Sequence, residues 1–361
     1  MALGIMGLPN VGKSTLFNAL AGTAVACSNY PFCTVDANVG VVPVPDERLT
    51  RLGELLEPEK LTPTTVRFVD IAGLVRGASL GEGLGNRFLA NIRDVDAVVH
   101  VVRCFEDASV SHVEGETNPS RDIDIIRTEL LLADLETAER NLEKARKDAG
   151  RGDKEAGELA DALERARDAL DAGTRIADAG LSESDRGHLS VYRFLTDKDT
   201  LYVANIGEDD VGTASTWVER LAEATGEPDW KVVPLSARLE AELAALDAED
   251  RSEFVAAWGL SEAGLPRLIR AGYRLLGLVT FFTIKGDEVR AWTVQGGATA
   301  VEAAGTIHTD MAHGFIRAEV VPFEKLIEAG SMHAARESGD VRTEGRDYVM
   351  TDGDVMLVRF N

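Results

Sequence analysis

Near its start the chain carries Gly7-Leu8-Pro9-Asn10-Val11-Gly12-Lys13-Ser14-Thr15, a stretch that leaves few folds open. It fits G-x-x-x-x-G-K-[ST], follows an apolar strand candidate (Leu3 to Met6) and opens a helix-like run, Ser14 to Ala21. That strand–loop–helix context is what the motif requires. Gly7 and Gly12 let successive backbone N–H groups turn inward around phosphate oxygens, and the helix N-terminus adds its positive dipole. Lys13 is expected to reach the β- and γ-phosphates and Ser14 to offer its hydroxyl to Mg²⁺, with Asn10, Val11 and Thr15 completing the nucleotide-binding segment. The fold class that follows is α/β, a P-loop nucleotide domain.

At 361 residues the chain is long enough for two or three domains with real cores. No run of 18 uninterrupted apolar residues occurs, and the N-terminus begins with the strand and P-loop instead of a charged, then apolar, leader. A cytoplasmic protein with no membrane partner is expected. Cys27, Cys33 and Cys104 have neither the number nor the spacing of a disulfide framework or zinc site and read as reduced thiols. The net charge of −23 argues against a protein that coats nucleic acid non-specifically, because phosphate neutralisation needs clustered cations. Any RNA contact is therefore local.

After the P-loop helix, the Pro-interrupted loop Ser28 to Thr34 stands where such folds place a first switch, and Thr34 is a candidate second hydroxyl for Mg²⁺. Val39 to Val44 reads as a strand and Asp46 to Leu56 as an amphipathic helix. The apolar strand Thr65 to Val69 then runs into Asp70-Ile71-Ala72-Gly73, a D-x-x-G arrangement. An acid at that strand end can hold the Mg²⁺ hydration shell through water, and Gly73 can give its N–H to a γ-phosphate. Gly77, Gly81, Gly83 and Gly85 follow, the composition of a mobile switch. Ala97 to Val102 is a third buried-type strand, and Arg103 to Glu116 a polar loop holding His112.

The α/β rhythm then stops. Leu131, Leu135, Ala138, Leu142 and Ala145 step by 4, 3, 4 and 3, and Ala156, Leu159, Leu163, Ala166, Leu170, Gly173 and Ala177 repeat the heptad on the return. With a Gly-containing tip at 149–153, this predicts an antiparallel helical hairpin, placed at 121–190 and interrupting a nucleotide domain of 1–277. Strands Thr200 to Ala204 and Lys231 to Pro234 resume that domain, and the helical stretch Ser261 to Leu276 leads out of it. From 278 to 361, short strands around Phe281, Arg290 and Val355 alternate with helical pieces at Ala298 to Ile307 and Phe323 to Gly330, an α+β module.

GTPases read guanine with N-K-x-D; here the corresponding stretch is Asn205-Ile206-Gly207-Glu208, followed later by Ser236-Ala237. The longer Glu208 displaces the carboxylate that guanine's donors need, and Ile206 replaces the Lys that flanks the base. Asn205 can meet adenine at N6/N7, so ATP is expected over GTP, with a GTP-specific switch as the alternative. Leu74 stands where related proteins use a water-orienting Gln, so catalysis needs a polar group from elsewhere, and slow intrinsic turnover is expected.

Taken together, the P-loop, Asn29 to Thr34, Asp70 to Val75, Gly81 to Asn86, His100 to Phe105 and the ending Val358 to Asn361 resemble the YchF, or Obg-like ATPase, family over essentially the whole chain. The resemblance implies a nucleotide domain with an inserted antiparallel coiled coil and a C-terminal TGS module, a β-grasp fold similar to ubiquitin. It also implies Mg²⁺-dependent ATP hydrolysis and association with the ribosome, as 50S subunit or 70S particle. Within that family a His at the place of His112 is proposed to be catalytic, resting away from the phosphate until a partner orders its loop. Asn10 stands where some related GTPases help bind K⁺, making K⁺ a candidate cofactor. A metabolic kinase and a nucleotide-stabilised scaffold remain as competing readings. For a partner surface, residues 140–154 hold six bases against three acids, and Arg146, Lys147 and Arg151 at the tip are the candidate RNA contacts, together with the TGS domain.

Overall fold

The computed structural model describes residues 1–23, 38–71, 73, 84–107 and 109–361. Among these, one sheet contains β1 (Ala2–Met6), β2 (Val39–Pro43), β4 (Thr65–Asp70), β5 (Ala97–Cys104), β6 (Thr200–Ile206) and β7 (Val232–Leu235), in the order β2-β4-β1-β5-β6-β7. A second comprises β3 (Lys60–Thr62), β8 (Leu278–Lys285), β9 (Glu288–Gln295), β10 (Phe315–Pro322), β11 (Arg342–Glu344) and β12 (Asp354–Phe360), in the order β11-β10-β12-β8-β9-β3.

In the first sheet β1, β5 and β6 are buried along their whole length, as expected of parallel strands covered on both faces. β1 pairs in parallel with β4 and β5, aligning Ile5 with Asp70 and Met6 with His100. β5, β6 and β7 continue the parallel set, with Asn205 opposite Leu235. These registers bring the P-loop, Asp70, Asn205 and Ser236 to the carboxyl ends of neighbouring strands, where open α/β sheets bind ligands. β6 runs two residues past its expected end because Asn205 and Ile206 are buried and paired with β5.

The helical insertion is α4 (Pro119–Ala149) and α5 (Lys154–Asp171). Asn118 caps α4, and Asp153 caps α5 after a tip in which Gly152 takes φ 95°. The heptad positions Ala138, Leu142 and Ala145 pack with Ala160, Leu163, Ala166 and Leu170. The return helix stops short of the predicted pattern: Gly173 takes φ 77°, and Ala177 lies in a single 3₁₀ turn. At the base of the hairpin, the fully buried Asp134 accepts from the N–H groups of Leu195 (3.0 Å) and Thr196 (2.8 Å) and from the Thr196 hydroxyl (2.7 Å). Glu240, also buried, accepts from the N–H groups of Gly264 (2.6 Å) and Leu265 (3.0 Å), capping the helix Gly264–Leu275.

The second sheet has a core on each face. Phe281, Ala303, Ala304, Val320 and Met356 form one, and Phe282, Val289, Val321, Leu326 and Val355 the other. α2 (Glu47–Leu56) packs Leu49 and Leu52 into the latter, and β3 pairs in parallel with β9. The described residues accordingly form two compact units, one taking in 41–66 with 272–361 and the other 1–23, 38–40 and 67–271. Two strands of the C-terminal module, β10 and β11, are additions to the sequence reading; β10 carries a register shift between Phe315 and Arg317 that breaks its alternation. No described helix is long and apolar enough to cross a membrane.

Candidate nucleotide site

The cradle is shaped by backbone that only certain residues tolerate. Asn10 takes φ 60° and Gly12 φ 96°, both left-handed, and a Cβ on Gly12 would collide with Nδ2 of Asn205. A Cβ on Gly7 would lie 2.5 Å from the Val101 carbonyl oxygen. The chain thus turns tightly between β1 and α1 (Lys13–Gly22), with Ser14 and Thr15 exposed in its first turn.

Lys13 is 8% exposed, and its Nζ donates to Leu8 O at 2.6 Å. Burial lowers its ammonium to about 8 against the pull of the Asp70 charge, while burial pushes the Asp70 carboxyl up against the pull of Lys13. A buried cation on a backbone carbonyl thus faces one carboxylate. Gly73 completes the arrangement: a Cβ there would stand 3.1 Å from Lys13 Nζ. His100 lies beneath, buried and held at about 3 by burial and the Lys13 charge, which makes it a neutral core side chain.

Asn205 braces the site. Its Nδ2 donates to Val11 O at 2.8 Å and its Oδ1 accepts from the Ala237 N–H at 2.9 Å, tying the P-loop to the start of α8 (Ala237–Ala244). The second Nδ2 hydrogen takes part in neither of these bonds. Ser236 spends its hydroxyl capping α8 through Leu239 N, and Ile206 is 2% exposed, its side chain joined to the core. Beside these residues opens a cavity of about 320 Å³, lined in part by Gly12, Asn205, Ile206, Glu208 and Arg238. Phe105, Asp107 and Val110 in its wall are held by Arg103, 2% exposed, whose guanidinium donates to their carbonyls at 3.2, 3.3 and 3.0 Å.

That wall continues to His112. Asn10 Nδ2 donates to Ser111 O at 3.2 Å, joining the loop to the P-loop. The His112 side chain is 3% exposed, its Nε2 lies 2.8 Å from Asp122 Oδ2, and its Nδ1 accepts from the Glu114 N–H at 3.1 Å. With Nδ1 accepting, Nε2 carries the proton and donates to Asp122. Both ring nitrogens are occupied, by a residue of the first turn of α4 and by the loop itself. Sequence reasoning missed Arg103, Asp122 and Arg238; Asn118-Pro119 signals a helix start that would have put Asp122 in its first turn.

Thr34, Cys27, Cys33, Leu74 and the glycines from Gly77 to Gly83 lie outside the described residues. At the hairpin tip, Arg146 pairs with Glu164 (2.7 Å), Lys147 with Glu143 (2.6 Å) and Arg151 with Asp148 (2.9 Å), all at the surface. The local excess of positive charge is therefore partly compensated at each of the three candidate contacts.

A family model of the YchF GTPase C-terminal region, described as a protein of unknown function, matches residues 278–361, and one described as a 50S ribosome-binding GTPase matches residues 2–149. The ribosome-binding ATPase YchF of Haemophilus influenzae is 51% identical over 358 residues, covering 99% of this chain and 98% of its own. Its Bacillus subtilis counterpart is 46% identical, covering 100% and 99%. The solved structure of the Schizosaccharomyces pombe YchF GTPase superposes with a TM-score of 0.87 at 35% identity, covering 99% and 97%. With such identity along the full length of both sequence and fold, the chain belongs to the YchF family.

Proposed function

We propose that the protein is a Mg²⁺-dependent ATP-hydrolysing switch of the cytoplasm that prefers ATP over GTP and works on the ribosome, through the 50S subunit or the 70S particle. The observation that carries this reading is the caged Lys13: a buried ammonium on a carbonyl, beside Gly73 and Asp70, is a group awaiting phosphate oxygens. The curated relatives are named ribosome-binding ATPases, while the solved fission-yeast relative is named a GTPase, so the base is argued from this chain's own residues.

An oxygen-only donor set suits Mg²⁺. Ser14 would hold the ion directly and Asp70 through water, with Thr34 the proposed second hydroxyl; the ion, when bound, would neutralise phosphate charge. Lys13 exchanges Leu8 O for phosphate oxygens, the P-loop amides and Gly73 N–H orient them, and the Asn205 strut keeps the P-loop from relaxing. K⁺ near Asn10 would add to the same charge stabilisation. His112 is the proposed water-orienting residue, held back at rest by Asp122 and Glu114 and delivered when a partner reorders its loop. The hairpin tip at Arg146, Lys147 and Arg151 and the TGS module are the proposed RNA-facing surfaces; exposed ion pairs such as those at the tip are weak enough for phosphates to displace.

Phosphate release by the purified protein, with and without ribosomes, tests the reading. Slow release of ADP and phosphate alone, quickened by ribosomes, supports it. Phosphate transfer to a small acceptor, or no turnover in either condition, would return the kinase or scaffold reading.

A further inference from the structure

The base cavity holds an ion pair whose chemistry goes beyond the substitution of Glu for Asp. Glu208 Oε1 is buried, and Arg238 Nε lies 3.0 Å from it, yet no hydrogen bond reaches that oxygen from any described residue. The charges face each other while the N–H is not aimed at the acceptor. Arg238 is otherwise 3.7 Å from Glu242 one turn along α8, and its side chain is 75% exposed at the cavity rim. Oε1 itself is covered, but the Glu208 side chain is 34% exposed, so the carboxylate keeps acceptor capacity and the guanidinium keeps donors, both among the residues that line the cavity.

We infer that Glu208 and Arg238 together read the Watson–Crick edge of adenine, and that Arg238 is the residue that excludes guanine. Adenine presents a donor, N6–H₂, beside an acceptor, N1, which an acceptor–donor pair answers atom for atom. Guanine presents N1–H and N2–H₂ next to each other, two donors that need a free carboxylate. Here that carboxylate is charge-compensated, and the compensating group carries donors only. Guanine could turn O6 toward Arg238 and N1–H toward Glu208, but its N2–H₂ would then enter the cavity without an acceptor, at a cost of roughly ten- to a hundredfold in affinity. The inference rests on the ATP reading above and adds the residue that enforces it.

The test is nucleotide titration of the full chain, wild type and Arg238→Ala, with ATP, GTP and 1-deaza-ATP, an analogue in which a C–H replaces the N1 acceptor. Wild type is expected to bind 1-deaza-ATP about tenfold more weakly than ATP, the effect of one lost hydrogen bond to a charged donor. Arg238→Ala is expected to bind ATP and 1-deaza-ATP alike and to narrow the ATP-to-GTP ratio by about tenfold. A merely structural Arg238 would weaken both adenine nucleotides equally and leave their ratio standing, which overturns the assignment. So does a wild type that binds ATP and 1-deaza-ATP alike while still preferring ATP over GTP. A wild type that binds GTP as tightly as ATP instead overturns the ATP reading itself, and this inference with it.

Discussion

Replacing Asp122 by Ala should raise the protein's unassisted hydrolysis. In the resting structure His112 is held by two bonds, one to the buried Asp122 carboxylate at 2.8 Å and one from the Glu114 N–H at 3.1 Å. A hydrogen bond to a charged group is worth roughly 1.5–3 kcal/mol net, so its loss should multiply the population of freed His112 by about ten to a hundred. Part of that gain is lost because the Glu114 contact persists and a freed imidazole is not yet positioned. The expected increase in single-turnover ATP hydrolysis without ribosomes is about tenfold. Asp122 also touches Arg121 Nη2 at 3.3 Å and sits in the first turn of α4, so a loss of stability of about 2–3 kcal/mol, the released hydrogen bond plus the helix-end charge, should accompany it. The control is the same substitution in a His112→Ala background, where the gain should vanish while ATP affinity is kept. Hydrolysis by Asp122→Ala at the parental rate, or a gain that survives the loss of His112, would refute the latch.

Because burial sets the Lys13 ammonium near 8 and phosphate oxygens would restore its charge, ATP binding at pH 8 should take up about half a proton, seen by calorimetry in buffers of different ionisation enthalpy. Uptake should fade toward pH 6, where Lys13 is already protonated, and no uptake at pH 8 would contradict the cage. In the nucleotide-free protein the lowered value means that the unfolded state binds more protons between about 8 and 10.5, so this group's contribution to stability rises with pH through that window. Asp134→Ala strands two buried N–H groups at the base of the hairpin and should destabilise the fold by about 3 kcal/mol in urea denaturation; a cost under about 1 kcal/mol would remove Asp134 as an anchor. Reversing Arg146, Lys147 and Arg151 to Glu should weaken ribosome co-sedimentation, most at low salt, with ATP affinity unchanged; unaltered co-sedimentation at low salt would reject the tip as a contact.

The P-loop turn was legible from sequence because its determinants are local: glycines at positive φ, with a lysine and a hydroxyl within a few positions of each other, define it. The hairpin was legible for a similar reason, its heptad being a repeat along one helix face. What periodicity omits is the identity of the opposing surface. The Asp46 to Leu56 stretch declares an apolar face, but that Leu49 and Leu52 meet Phe282 and Val355, more than 200 positions away, is a matter of topology. The same limit applies to Asn205, whose residue type suits a base as well as it suits the backbone groups of Val11 and Ala237 that it bonds. Asp122 lies only ten residues after His112, yet as a first-turn acid it has an ordinary explanation at a helix N-terminus, and only the fold turns its carboxylate onto the imidazole.

The central proposal is a nucleotide site that selects adenine around a buried lysine. Competitive titration of labelled ATP and GTP against the purified wild-type protein, with Mg²⁺ present and at one ionic strength, tests it most directly: ATP is predicted to bind at least tenfold more tightly, and GTP binding as tightly as ATP or tighter would contradict it.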